Sequence, residues 1–236
     1  MRVVIAVLLL SSIASAAPQT FVSGATRTHV IELFTSEGCS SCPPADAWLS
    51  GLRDDPRLWH DVIPIAWHVD YWDRLGWKDR FASKAGTQRE YAYGAKWKEP
   101  SVYTPCVVID GLEARMRAFP APSSALAGAL RATCDGRQVQ VQFEPVATGD
   151  FDVHAVRLAL GVISKVGAGE NGGRTLRHDF IASGAMATAR LTHGAASLDL
   201  PSAIEDGAEQ HALAVWITRH GELAPIQAVG GLLANQ

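Results

Sequence analysis

Cys39 and Cys42 are the residues of this chain whose type and spacing most directly suggest chemistry. The stretch Cys39-Ser40-Ser41-Cys42 follows an apolar run, His29 to Thr35, and a turn, Ser36-Glu37-Gly38. It precedes Pro43-Pro44 and a segment of helical periodicity from Ala45 to Leu52. A Cys-x-x-Cys pair where a strand ends and a helix begins is the setting of a dithiol–disulfide couple. The thiolate is the reactive species, and the unpaired N–H groups and dipole of a helix N-terminus favour an anion there. Cys39 is therefore assigned as nucleophile, and Cys42 as the thiol that resolves a mixed disulfide formed at Cys39. Prolines are tolerated in the first helical turn, where a missing N–H costs little. The nearby Glu37 carboxylate works against the thiolate. The pair also admits two other readings, a permanent structural disulfide and half of a metal site.

Two further stretches could serve such a site. His68-Val69-Asp70-Tyr71-Trp72-Asp73-Arg74-Leu75-Gly76-Trp77 stands at the end of an apolar run, where open α/β sheets place their ligands. His68 and Asp70 share a face if the strand continues. They are candidates for proton transfer or metal binding, or simply for fixing a loop. Thr104-Pro105 opens a second apolar run that ends at Asp110-Gly111, a tight-turn pair. Gly167-Ala168-Gly169-Glu170-Asn171-Gly172 matches a G-x-G-x-x-G pattern. No helix is expected after it, so it reads as a turn in a β-region and not as a phosphate loop.

Strand, helix and strand over Val30 to Phe34, Ala45 to Leu52 and Val62 to Val69 make a βαβ unit with a parallel pair. A helix is expected over Phe81 to Trp97, with Arg89, Glu90 and Lys96 exposed and Tyr91 and Trp97 as anchors. Leu112 to Ala118 reads as the return strand of a hairpin, and Ser123 to Ala132 as a closing helix. From Gln138 the pattern turns to alternation: Val139, Val141 and Phe143 stand between polar residues. Val153 to Leu160 and His211 to Thr218 are also strands. Arg219-His220-Gly221-Glu222 is a turn before Ile226 to Val229. No long helix is evident there, which predicts an antiparallel, sandwich-like unit.

The chain has 236 residues, 47% of them hydrophobic and 19% charged, with a formal net charge of −3. That suffices for a sizeable core and gives no electrostatic case for nucleic acid. Residues 1–16 read as a signal peptide: a basic Arg2, an apolar run from Val3, and a small-residue cleavage site at Ala14-Ser15-Ala16. The run is too short to span a bilayer. No integral membrane segment is expected after cleavage, and the mature protein is expected to be periplasmic or secreted, where disulfides persist.

Taken together, Glu32 to Asp46, His68 to Trp77, Val102-Tyr103-Thr104-Pro105 and Gly169 to Leu176 resemble a secreted bacterial family catalogued as domain of unknown function 1223. The resemblance implies an α/β thioredoxin-like N-terminal domain with a helical insertion, residues 28–136, and a smaller β-rich domain, residues 138–236. In thioredoxin-like folds the Thr-Pro bond is cis and lies against the cysteine pair. Carried here, Thr104 and Pro105 would flank Cys39 and help bind an extended substrate. Glu170 and Arg174 would face the redox site across the domain interface. The Ser-Ser dipeptide departs from Gly-Pro, and Cys106 stands where a polar residue other than cysteine is expected. With Cys39 and Cys42 paired, Cys106 and Cys134 are left as a structural disulfide, as two free buried thiols, or as a relay to the active pair.

The expectation is an exported thiol–disulfide oxidoreductase without a cofactor or metal, whose partners are protein thiols or disulfides or a small thiol. The alternatives are a metal-binding or copper-delivery protein using the same cysteines with His68, and a binding module with inert disulfides. Only three methionines, one of them Met1, argue against a methionine-ligated copper site.

Overall fold

The computed structural model describes residues 17–201 and 206–234; the expected signal peptide, 1–16, lies outside the described residues. The chain is mostly β-sheet with few helices. Its first half runs β1 (Gln19–Val22), β2 (His29–Thr35), α1 (Pro43–Ser50), β3 (Val62–His68), α2 (Lys84–Trp97), β4 (Cys106–Ile109) and β5 (Leu112–Ala114). It continues through β6 (Ala129–Cys134), β7 (Gln138–Glu144), β8 (Phe151–Leu160), β9 (Val162–Lys165), β10 (Thr175–His178), β11 (Ile181–Arg190), β12 (Ala195–Asp199), β13 (Gln210–Arg219) and β14 (Pro225–Leu232). Among the described residues no helix is long and apolar enough to cross a membrane.

β2 and β3 pair in parallel, and β4 adds to β2 antiparallel, as the apolar runs require. The sheet does not stop there. Its order is β14-β13-β8-β11-β3-β2-β4-β5, so one eight-stranded sheet draws on both halves of the chain. The join is β11, which meets β3 at Ile181–Ala66 and β8 on its other side. A second sheet, β1-β6-β7-β12, lies over the far end.

The side-chain period of a strand explains how both cores form. On β13, Ala212, Ala214 and Trp216 join β2, β3 and α1 in one core. The alternating Leu213, Val215 and Ile217 face the opposite way and pack on Leu130, Val139, Val141 and Phe143 of the second sheet. The sandwich is therefore present, but its larger layer is the common sheet.

Residues 136–138 lie at the turn of the β6–β7 hairpin, where Cys134 pairs with Val139. Two expectations are corrected. Ser123 to Ala132 is not a helix. Its Ala- and Leu-rich composition favours one locally, but Leu130, Ala132 and Cys134 alternate into the second core, and strand pairing on both sides of β6 overrides the propensity. On α2, Arg89 and Glu90 are buried and Tyr91 is exposed. Arg89 is drawn inward by Glu32 of β2, to which it donates from Nε and, at 3.0 Å, from Nη2. The Tyr93 hydroxyl (2.5 Å) and the Trp67 indole (2.8 Å) donate to the same carboxylate.

Candidate functional site

β2 delivers the chain into a turn closed by Cys39 N–H donating to the Ser36 carbonyl at 3.2 Å. Ser36 Oγ accepts from Gly38 N–H, and Asp79 Oδ2 accepts from Glu37 N–H at 2.9 Å. α1 begins directly after Cys42, whose carbonyl accepts from Ala45 and Asp46. Cys39 and Cys42 are joined in a disulfide. Cys39 Sγ lies 3.4 Å from Ser41 Oγ and 3.8 Å from the Thr104 carbonyl oxygen. The Thr104–Pro105 bond is cis. The Trp72 indole donates to Thr104 Oγ1 at 2.8 Å. Gly38 lets Trp72 approach: a Cβ there would stand 3.1 Å from that of Trp72.

The G-x-G-x-x-G stretch is the turn between β9 and β10, not a phosphate loop, and it reaches the disulfide. Asn171 Nδ2 donates to the carbonyls of Glu37 and Cys39, both at 2.9 Å. Glu170 accepts from the Ser40 amide at 3.0 Å, and its pKa is lowered by hydrogen bonds from Ser40. Arg174 holds Asn171 by its side-chain oxygen at 2.7 Å. Gly169, at φ +74°, seats the turn against Trp77. Under this cover both cysteines are 0% exposed, although Ser40 and Ser41 are exposed.

Behind the turn lies a buried cluster of titratable groups. His68 does not pair with Asp70. It pairs with Asp79 at 2.6 Å, while Asp70 accepts from the Thr87 hydroxyl and so ties down the start of α2. The strand does not continue to Asp70, which removes the shared face expected from their spacing. Burial opposes protonation of His68, but Asp79 outweighs it and raises the pKa. Burial likewise opposes ionisation of Asp79, yet His68 holds it at about 2. His178 of β10 stands between two carboxylates, 3.7 Å from Glu37 and 3.8 Å from Asp46. Burial pushes Asp46 up to about 7 and His178 down to about 3. Among the described residues, Glu37 Oε1, Asp46 Oδ2, His68 Nε2 and both His178 nitrogens have no hydrogen-bond partner.

Cys106 and Cys134 form no disulfide; both are free and buried. They sit on strands of different sheets and in different cores, which separates them. Burial pushes the Cys106 thiol up to about 12. Among the described residues, no group of three or more His, Cys, Asp or Glu is disposed to hold a metal ion. Asp79 and His178 lie outside the sequence motifs; Asp46 and Asn171 lie within them, but the motifs alone assign neither a role.

The chain belongs to the family described as protein of unknown function (DUF1223), whose profile matches residues 30–218. Among solved structures it is similar to protein AGR_C_4864 from Agrobacterium tumefaciens, with a TM-score of 0.67 and 23% identity over 91% of this chain and 97% of that one. It is also similar to HBP35 of Porphyromonas gingivalis, with a TM-score of 0.53 and 13% identity over 89% of this chain and 76% of that one. At these identities the likeness is one of fold. None of the curated proteins matches the chain.

Proposed function

We propose that this protein is an exported thiol–disulfide oxidoreductase whose cysteine-bearing half is thioredoxin-like. One observation carries the reading: the Cys39–Cys42 disulfide sits at the start of α1 with the Thr104 carbonyl 3.8 Å from Cys39 Sγ. A substrate thiolate attacks Cys39 Sγ, the Cys39–Cys42 bond breaks, and its electron pair leaves on Cys42, which takes up a proton. A second substrate thiolate then attacks the substrate sulfur of the mixed disulfide and releases Cys39 as a thiolate. Two electrons pass from the substrate dithiol to the protein. In reverse, Cys39 attacks a substrate disulfide and Cys42 resolves it. The residue pattern of 1–16 supports export, and an oxidising compartment supplies such substrates.

Both sulfurs are covered, so a substrate reaches them only when the Asn171 turn or the Trp72 loop is displaced. The same burial favours a second reading, a fixed structural disulfide. Titration of the mature protein against glutathione, with Cys39→Ser as control, separates the two. A reversible two-electron couple lost in Cys39→Ser is the expected result. A disulfide that stays oxidised across the glutathione range rules out the oxidoreductase.

A further inference from the structure

A cleft between the C-terminal half of α2, the loop before β4 and the β4–β5 hairpin takes no part in the chemistry above. It is narrow: its accessible interior is about 20 Å3, room for a single small group, and it opens to solvent. Phe34, Tyr93, Trp97 and Tyr103 line it. Tyr93 stacks on Trp97 with centroids 5.2 Å apart and meets Phe34 edge-on at 6.1 Å. Glu90 also lines it, is 2% exposed, and among the described residues neither carboxyl oxygen has a partner within hydrogen-bond distance, although the Tyr71 hydroxyl and the Tyr103 backbone lie close enough to favour its charged form. The exposed Glu99 and Glu113 line it as well, and among the described residues no Lys, Arg or His does.

A carboxyl buried without a partner is unfavourable unless it stays protonated or a donor arrives. Burial indeed pushes Glu90 up to about 7. Tyr93 is already taken, stacked on Trp97 with Arg89 over its ring, but the half-buried Trp97 and the exposed Tyr103 offer aromatic surface to a cation, and the Glu90 carboxyl beside them completes the set for an ammonium. Lysine fits better than arginine, because a compact ammonium on a thin stem suits a narrow aromatic cleft and a planar fork does not. The location points to the source. Tyr103 lines the cleft, and the next residue, Thr104, touches Cys39 Sγ.

We propose that this cleft binds the ammonium group of a lysine side chain carried by the polypeptide that reacts at Cys39. The identity of the polypeptide rests on the oxidoreductase reading; the cation site does not.

Two arms test it on the full mature protein. In the first, the oxidised protein is titrated with butylammonium, and with butanol as the neutral analogue, while the Gly94 and Val102 amides and the Trp97 indole are followed by NMR. Saturable shifts with butylammonium are expected, weakened about 10- to 100-fold in Glu90→Gln. Should that variant not fold, Glu113→Gln at the exposed hairpin is expected to weaken binding about threefold, the scale of a partly screened charge. Equal response to butylammonium and butanol, or none, overturns the site. In the second arm, cysteine peptides with a neighbouring lysine or norleucine reduce the Cys39–Cys42 disulfide. Faster reaction of the lysine peptide, lost in Glu90→Gln, is expected. Equal rates overturn the substrate assignment. Reaction with neither peptide, alongside intact butylammonium binding, overturns the oxidoreductase reading and leaves the cation site standing.

Discussion

Glu32 and Glu37 are each 1% exposed, one on β2 and one in the turn that follows it, yet their surroundings are opposite. Around Glu32, the Arg89 guanidinium, the Tyr93 hydroxyl and the Trp67 indole fill the carboxylate, and Arg89 lies over the rings of Trp67, Tyr93 and Trp216. Around Glu37, one oxygen accepts from the Trp77 indole at 2.7 Å and the other faces His178 without a bond. A fully satisfied buried network rigidifies a core. A network with open donors and acceptors keeps the capacity to change its protonation, which the proposed thiol–disulfide exchange would use. The first network fixes α2 on the sheet. The second lies behind the disulfide.

Breaking the satisfied network has the largest expected effect. Glu32→Ala leaves a buried guanidinium unpaired and is expected to lower stability by about 3–5 kcal/mol. Thermal unfolding measures that loss, and the redox potential of the folded fraction should not change. The open network is sharpened by pH. Asp46, pushed to about 7, lies above the 3.8 of an ordinary aspartate, so the folded state holds the extra proton and stability falls as pH rises from about 4 to 7. His178, pushed to about 3, lies below the ordinary 6.5, so the unfolded state holds the extra proton and stability falls as pH drops from about 6.5 to 3. The two slopes oppose one another in the wild type. Relative to it, Asp46→Asn should gain stability as pH rises from about 4 to 7, and His178→Gln should lose it, each by up to about 1 kcal/mol per pH unit. Denaturant melts at several pH values read both, and parallel wild-type and variant profiles would dissolve the contrast.

Smaller effects follow at the cover. Asn171→Ala removes two donors from the Glu37 and Cys39 carbonyls and is expected to speed reduction of the disulfide by a small thiol about tenfold, the rate equivalent of 1–2 kcal/mol. Stopped-flow with dithiothreitol measures it, and an unchanged rate would mean that another element gates access. The smallest effect is expected for Cys134→Ala: about 1 kcal/mol of stability or less, and no change in the redox couple, because a buried free cysteine behaves as a small hydrophobe.

Much of the first sheet was legible because β2 and β3 are apolar runs closed by turn residues, and the Cys-x-x-Cys between them declares a helix start. β6 was not, because its alanines and leucines obey a tertiary alternation that local propensity contradicts. Arg89 was misplaced because charge at helical spacing ordinarily means solvent, and only the acidic residue on β2 makes the interior acceptable. The Cys-x-x-Cys turn could be read directly, but its supports could not. Asn171 acts on a carbonyl 132 residues away, and no local pattern encodes such a contact.

The sharing of one sheet bears on how the protein can be cut. All seven residues of β3 are buried, and its outer side meets β11 at Ile181–Ala66, with Ala66 N–H bonded to the Phe180 carbonyl at 2.8 Å. A chain ended after residue 137 would lose that neighbour and display an apolar edge at the end of β3, the kind of template on which chains assemble edge to edge. The β-rich half thus caps an edge that the cysteine-bearing half alone would leave open.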